Sequence, residues 1–230
     1  AGADAVITML PAAKHVLGVY RDQVLGAAPA SALLIDCSTI DVASARSIEE
    51  EAAGLGYTMV DAPVSGGIAA AAAGKLTFMV GGSHEAFARA QPILEPMAKA
   101  VIHAGGAGAG QAAKICNNMI LGATMIATCE AFVLAQKLGL DPKVFFDIAS
   151  NASGQSWSMT SYTPVPGVGP ETPADHDYEG GFAAALMLKD LKLAMEAAGQ
   201  VGAYTPMGGE AEELYRRFVN LGGGSKDFSG

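Results

Sequence analysis

Basic residues are scarce: 14 Lys and Arg face 23 Asp and Glu, a net charge of −9 over 230 residues. That balance excludes a protein that wraps nucleic acid or binds an anionic membrane by charge, so an anionic ligand must find a local pocket. Cysteine is scarcer still. Cys37, Cys116 and Cys129 are odd in number, widely spaced and set among small or apolar residues, which excludes a disulfide scaffold. They read as buried thiols of a reducing compartment, a bacterial cytoplasm ahead of a mitochondrial matrix. The four histidines, His15, His84, His103 and His176, have no ligand spacing with one another or with the cysteines, so no metal site is expected. No basic region precedes the short apolar run of AGADAVITMLP, so the opening does not read as a signal peptide. No internal repeat is found. What is abundant is hydrophobic content, 50% of the chain, enough for one large core or two modest ones.

From Ala1 to about Ala104, short apolar runs alternate with helical stretches, the pattern of a parallel α/β sheet. Val6 to Leu10, Leu33 to Cys37, Tyr57 to Val60, Leu76 to Val80 and Val101 to His103 are expected as strands. Helices are expected over Ala12 to Leu25, Val42 to Ala53 with Asp41 as N-cap, and His84 to Met97. After the glycine cluster at 105–110 only helical periodicity remains. Gln111 to Leu138 predicts one helix of about 28 residues, roughly 40 Å long. Shorter helices follow over Pro142 to Ser150, Phe182 to Ala198 and Pro206 to Leu221, with a long loop from Thr163 to Gly181. The expected architecture is α/β: a partial Rossmann-type domain over 1–108, then an all-helical domain over 109–230 with a long central helix.

Several local patterns imitate known sites and fail on their details. Gly106-x-Gly108-x-Gly110 lies between a strand and a helix, but its third glycine comes one residue early and no acidic strand end follows. Gly74-Lys75 lacks the first glycine and the hydroxyl of a phosphate loop. Met119 to Ala135 is apolar enough for a short membrane span, yet Glu130 interrupts it, so a buried central helix is expected. Glu49-Glu50-Glu51 reads as a solvated helix face.

Three strand ends differ chemically from ordinary turns: Met9-Leu10-Pro11, Asp36-Cys37-Ser38-Thr39, and Asp61-Ala62-Pro63-Val64-Ser65-Gly66-Gly67. In a parallel sheet such ends converge on one edge, where ligands bind. Ser65-Gly66-Gly67 offers a hydroxyl and unobstructed backbone amides, suited to a small carboxylate. Lys114 and Asn118, four apart, share a helix face beside Ile115, Cys116 and Met119. A lysine in such company loses hydration, which favours its neutral, proton-accepting form.

These segments, with Gly110-Gln111-Ala112-Ala113-Lys114-Ile115-Cys116-Asn117-Asn118, Thr163-Pro164-Val165-Pro166-Gly167, Gly180-Gly181-Phe182 and Lys189-Asp190, closely resemble the β-hydroxyacid dehydrogenase family over essentially the whole chain. The resemblance implies a nicotinamide-dependent oxidation of 3-hydroxyisobutyrate to methylmalonate semialdehyde, a step of valine breakdown. It also implies a helical domain that mediates assembly into a homodimer or homotetramer. Lys114 matches the family's catalytic lysine, Asn118 a substrate-orienting amide, and Ser65, Gly66 and Gly67 the carboxylate site. Leu10, Pro11 and Thr39 match cofactor contacts, and Lys189 and Phe182 match contacts from the helical domain. Asp190 is expected to position Lys189 or the Phe182 segment. NAD is the implied cofactor, with NADP open.

Relatives acting on tartronate or succinate semialdehyde, and a non-catalytic dimerisation module, are the competing readings. The family's opening strand, Gly-rich turn and ribose-reading residue do not precede Ala1. The chain is therefore expected to be a piece of a longer enzyme with little cofactor affinity of its own.

Overall fold

The computed structural model describes residues 2–230. The chain divides into two compact units, Ala1–Cys116 and Asn117–Gly230.

The first unit is a six-stranded sheet covered by helices. Its strands are β1 (Ala5–Thr8), β2 (Leu33–Asp36), β3 (Thr58–Asp61), β4 (Val64–Ser65), β5 (Leu76–Gly81) and β6 (Ala98–Gly105). Between them lie helices α1 (Ala13–Val19), α2 (Val42–Gly54), α3 (Gly67–Ala72) and α4 (His84–Leu94). A π-turn over Tyr20–Val24 extends α1. The apolar run in β2 is buried on both faces. Leu34 packs with Val16, Tyr20 and Ile48 on one side, and Leu33 and Ile35 pack with Phe78, Val80 and Leu94 on the other. Such continuous apolar strands are what a two-faced sheet requires. The Asp41 side chain caps α2 by accepting from Ser44 N, as its position predicts.

The sheet is mixed, which corrects the expected parallel order. β1, β2 and β3 run parallel, but β5 runs antiparallel to β3 and β4, and β6 follows β5. A parallel return needs a crossover that packs on the sheet. The segment between β3 and β5 holds only β4 and the six-residue α3, which buries no residue. The chain therefore turns back as a hairpin.

Two further expectations are corrected here. Glu49 does not belong to a solvated face, because its Oε2 is buried without a hydrogen-bond partner. Cys116 is exposed rather than buried, while Cys37 is buried and Cys129 half-buried. His84 and His103 meet with ring centroids 4.6 Å apart, a pairing that their sequence separation conceals. No cluster of three metal-ligating side chains exists among the described residues.

α5 (Ala109–Lys137) opens in the first unit and supplies the long helix of the second. The other helices of the second unit are α6 (Pro142–Ala149), α7 (Trp157–Thr160), α8 (Ala184–Val201) and α9 (Pro206–Asn220). Met125, Met187, Leu191, Ala211, Tyr215 and Phe228 form its core. α5 is long and apolar enough to cross a membrane, yet only 33% of its most apolar window is buried. It is thus not the fully enclosed helix expected, and Ile120, Val133, Leu134 and Leu138 stand exposed.

Candidate active site

In the first unit the ends of β1, β2 and β3 share one edge, with Thr8 opposite Asp36 and Asp36 opposite Asp61. The buried Asp36 organises the first two ends. Its Oδ1 accepts from Thr8 Oγ1 at 2.8 Å and from Ser38 Oγ at 2.6 Å. Ser38 Oγ in turn accepts the Leu10 N–H at 2.8 Å. Burial pushes the Asp36 carboxyl above its ordinary range, and these hydrogen bonds draw it back. The path of Leu10-Pro11 is therefore set from β2.

Asp61, at the end of β3, fixes the start of α5. Its Oδ1 accepts from Gly108 N at 2.9 Å and its Oδ2 from Gln111 N at 2.8 Å. These are amides that a helix N-terminus leaves unsatisfied, and the negative end complements the helix dipole. Burial raises the Asp61 carboxyl, opposed by these two bonds. The approach is so close that a Cβ on Gly110 would lie 2.3 Å from Met79 O and 2.7 Å from Asp61 Oδ2. Only glycine fits there.

Gln111 joins the two arrangements. Fully buried, it donates from Nε2 to Ser38 O at 2.8 Å and accepts from Ile40 N at 3.0 Å. Its side chain thus brackets Thr39 by both main-chain neighbours. Three residues on, Lys114 is 7% exposed, beside buried Ile115. Leu10, Pro11, Thr39 and Lys114 are accordingly linked through one hydrogen-bonded frame. Ser65 ends β4, and Gly66 and Gly67 lead into α3. Gly66 (φ +132°) and Gly67 (φ +67°) both adopt conformations that favour glycine, and open space surrounds the Gly67 Cα.

In the second unit, Asn118 and Asp190 are both buried. Asn118 Nδ2 donates to Asp190 Oδ2 at 2.6 Å, and Asn118 Oδ1 accepts from Asn117 Nδ2 at 3.0 Å. The other Asp190 oxygen lies 3.3 Å from Lys189 Nζ. Asp190 thus joins Asn118 and Lys189. The main chain of Phe182 is held by another carboxylate, Phe182 N donating to Asp227 Oδ2 at 2.7 Å.

Sequence reasoning assigned no role to Asp61, Gln111 or Asp227. Gln111 stood inside the segment that carries the resemblance, one helical turn before Lys114, and that spacing was the available signal. Asp61 and Asp227 act through partners about 45 residues or more away, which no local pattern exposes.

Comparison with known proteins adds to this geometry. Residues 1–106 match the family described as the NAD binding domain of 6-phosphogluconate dehydrogenase. Residues 108–230 match the family described as NAD-binding of NADP-dependent 3-hydroxyisobutyrate dehydrogenase. The chain is 51% identical over 219 residues to a probable 3-hydroxyisobutyrate dehydrogenase of Mycobacterium bovis, covering 95% of this chain and 74% of that protein. It is 50% identical over 230 residues to an NAD-dependent L-serine dehydrogenase of Pseudomonas aeruginosa, covering 99% and 77%. A solved structure of Mycobacterium tuberculosis 3-hydroxyisobutyrate dehydrogenase with L-serine superimposes with a TM-score of 0.94 at 50% identity, covering 100% of this chain and 78% of that one.

The sheet edge suits the ring system of NAD. The Leu10 amide is spent on Ser38, Pro11 has none, and Met9 is 70% exposed. The rim is therefore an apolar face on which an aromatic ring can lie without competing donors.

Proposed function

The chain belongs to the 3-hydroxyisobutyrate dehydrogenase family, and on that premise we propose that it oxidises 3-hydroxyisobutyrate to methylmalonate semialdehyde, a step of valine breakdown. NAD, when bound, supplies the acceptor for the hydride that leaves the carbinol carbon. Lys114 Nζ takes the hydroxyl proton, so that one hydride and one proton depart and the C–O bond becomes a carbonyl. Ser65 Oγ and the amides of Gly66 and Gly67 hold the substrate carboxylate. Asn118 helps to orient the substrate. Leu10, Pro11 and Thr39 contact the cofactor from the sheet edge, and Phe182 and Lys189 contact it from the helical unit. Asp190 keeps Asn118 and Lys189 in place.

The observation that carries this reading is the burial of the Lys114 residue. Lys114 is 7% exposed on a helix whose first turn is fixed by Asp61 and Gln111. Solvent-facing lysines need no such frame, whereas a proton acceptor must be held at a set distance from the bond it serves.

The relative named for L-serine favours a second reading. L-serine shares the carboxylate and the 3-hydroxyl and differs at the second carbon, which bears an ammonium in place of a methyl group. The groups assigned above read only the shared features, so both acids fit them. We further assign a bacterial cytoplasm, on the bacterial origin of these relatives. The exposed apolar residues of α5 support assembly into a homodimer or homotetramer.

The deciding experiment measures reduced-nicotinamide formation by the purified protein. (S)-3-Hydroxyisobutyrate, L-serine, and the alcohols corresponding to tartronate and succinate semialdehydes are each offered with NAD and with NADP. The highest kcat/KM with 3-hydroxyisobutyrate and NAD is the expected result. A preference for L-serine selects the second reading, and no turnover of any 3-hydroxy acid overturns both.

A further inference from the structure

The segment 226–229 adds itself to the loop before α8 in the manner of a short strand. Asp227 N donates to Tyr178 O at 2.8 Å, Phe228 N to Phe182 O at 2.8 Å, and Ala184 N to Lys226 O at 2.8 Å. At its centre Asp227 is fully buried. Its carboxylate accepts four hydrogen bonds: Oδ2 from Phe182 N at 2.7 Å and from Tyr162 Oη at 2.9 Å, Oδ1 from Ser229 N at 3.0 Å and from Ser229 Oγ at 2.6 Å. A Cβ on Gly181 would stand 2.1 Å from Asp227 Oδ2, so this close approach depends on glycine at 181.

What the carboxylate holds is more informative than how it is buried. Phe182 is a residue the family reading places against the cofactor. Tyr162 stacks on Trp157 with centroids 4.8 Å apart and on Phe228 at 5.3 Å, and Trp157 is 49% exposed. One oxygen therefore sets both the main chain of Phe182 and the phenol that backs a half-exposed indole. Anchoring of the segment alone would be served by the three main-chain bonds, and the Oδ1 bonds stay within the segment, to Ser229. The bonds from Oδ2 run instead to two other segments.

We propose that Asp227 is a positioning residue of the dehydrogenase, fixing Phe182 and the Trp157–Tyr162 stack for cofactor binding. The inference rests on the family reading for what Phe182 touches. It does not rest on it for the geometry that Asp227 imposes.

The experiment uses the purified protein and its variants Asp227→Asn and Ser229→Ala. An amide offers one acceptor oxygen, and on either side its NH2 meets a main-chain N–H, of Phe182 or of Ser229, that can only donate, so Asp227→Asn breaks at least one of these bonds without changing size. Trp157 is the sole tryptophan, so its emission reports the stack independently of activity. The expected result for Asp227→Asn is a KM for NAD raised on the order of tenfold, as loss of a hydrogen bond to a charged group implies. kcat stays near the parent value, and Trp157 emission shifts well below the melting temperature. Ser229→Ala, which removes one of the two anchors of Oδ1, shifts both readouts in the same direction by less. Parental KM for NAD and parental Trp157 emission in both variants overturn the proposal, whatever happens to the melting temperature. Should Asp227→Asn fail to fold, Ser229→Ala decides alone by the same readouts. Should the parent oxidise no 3-hydroxy acid, the family reading fails, and the Trp157 emission still decides whether Asp227 holds the stack.

Discussion

Asn118 donates its side-chain amide to Asp190 across 2.6 Å, and neither residue is more than 2% exposed. Removing the acceptor leaves a buried donor without a partner, which costs about 1–3 kcal/mol. It also frees Asn118 from the orientation that the proposed reaction requires. Asp190→Ala is therefore expected to lower the urea midpoint and to reduce kcat/KM by roughly ten- to a hundredfold, the scale of a misplaced contact. Unchanged kinetics in a destabilised variant would reduce Asp190 to a structural acceptor.

Lys114 is assigned the proton of the substrate hydroxyl. Lys114→Ala is expected to lose on the order of 10²-fold or more in kcat, the usual scale for a general acid or base, with a much smaller change in KM. Steady-state kinetics with 3-hydroxyisobutyrate and NAD check this. Parental turnover in the variant would remove Lys114 from the mechanism.

Glu49 gives a pH dependence of known sign. Burial, helped by the charge of Asp61, raises its carboxyl from an ordinary 4.5 to about 7. The folded state thus holds the proton more tightly than the unfolded chain, and stability falls as pH rises from about 4.5 to about 7, then levels off. Glu49→Gln mimics the protonated form. It is expected to flatten this part of the melting-temperature profile and to raise the melting temperature at pH 8. A profile identical to the parent's would sink the assignment.

Two glycine substitutions should move stability in opposite directions. Gly110→Ala drives a methyl group against Met79 O and Asp61 and is expected to cost about 1–3 kcal/mol or more as overpacking. Gly199→Ala, within α8 where nothing lies within 4 Å of the new Cβ, is expected to gain about 0.4–1 kcal/mol through the unfolded chain. Urea titration of the two variants reads both signs.

Much of the frame was legible because it is written locally. The all-apolar run in β2, the Asp41 cap of α2 and the periodicity of α5 each state their own conformation. Strand direction is not local, and so the reversal at β5 was missed: α3 resembles a crossover helix in composition, but it is short and buries no residue. Glu49 looked solvated because its neighbours Glu50 and Glu51 share its charge, whereas the helix turns each toward a different environment. Within the candidate site, Lys114, Asn118 and the Ser65 segment were singled out through chemistry and family resemblance together. Asp61, Gln111 and Asp227 were not, since each acts by accepting or donating to main chain distant in sequence, and a buried acceptor carries no mark in one dimension.

Gln111 spends its one side-chain acceptor on Ile40 and a donor on Ser38, which leaves the position no isosteric replacement. Glutamate would set an acceptor against the Ser38 carbonyl, and methionine would leave two main-chain groups unanswered. Evolutionary drift around Thr39 is thereby confined to side chains. The course of the backbone there is inherited together with the helix that carries Lys114, so descendants of this chain can revise the side chains of the edge without moving that helix.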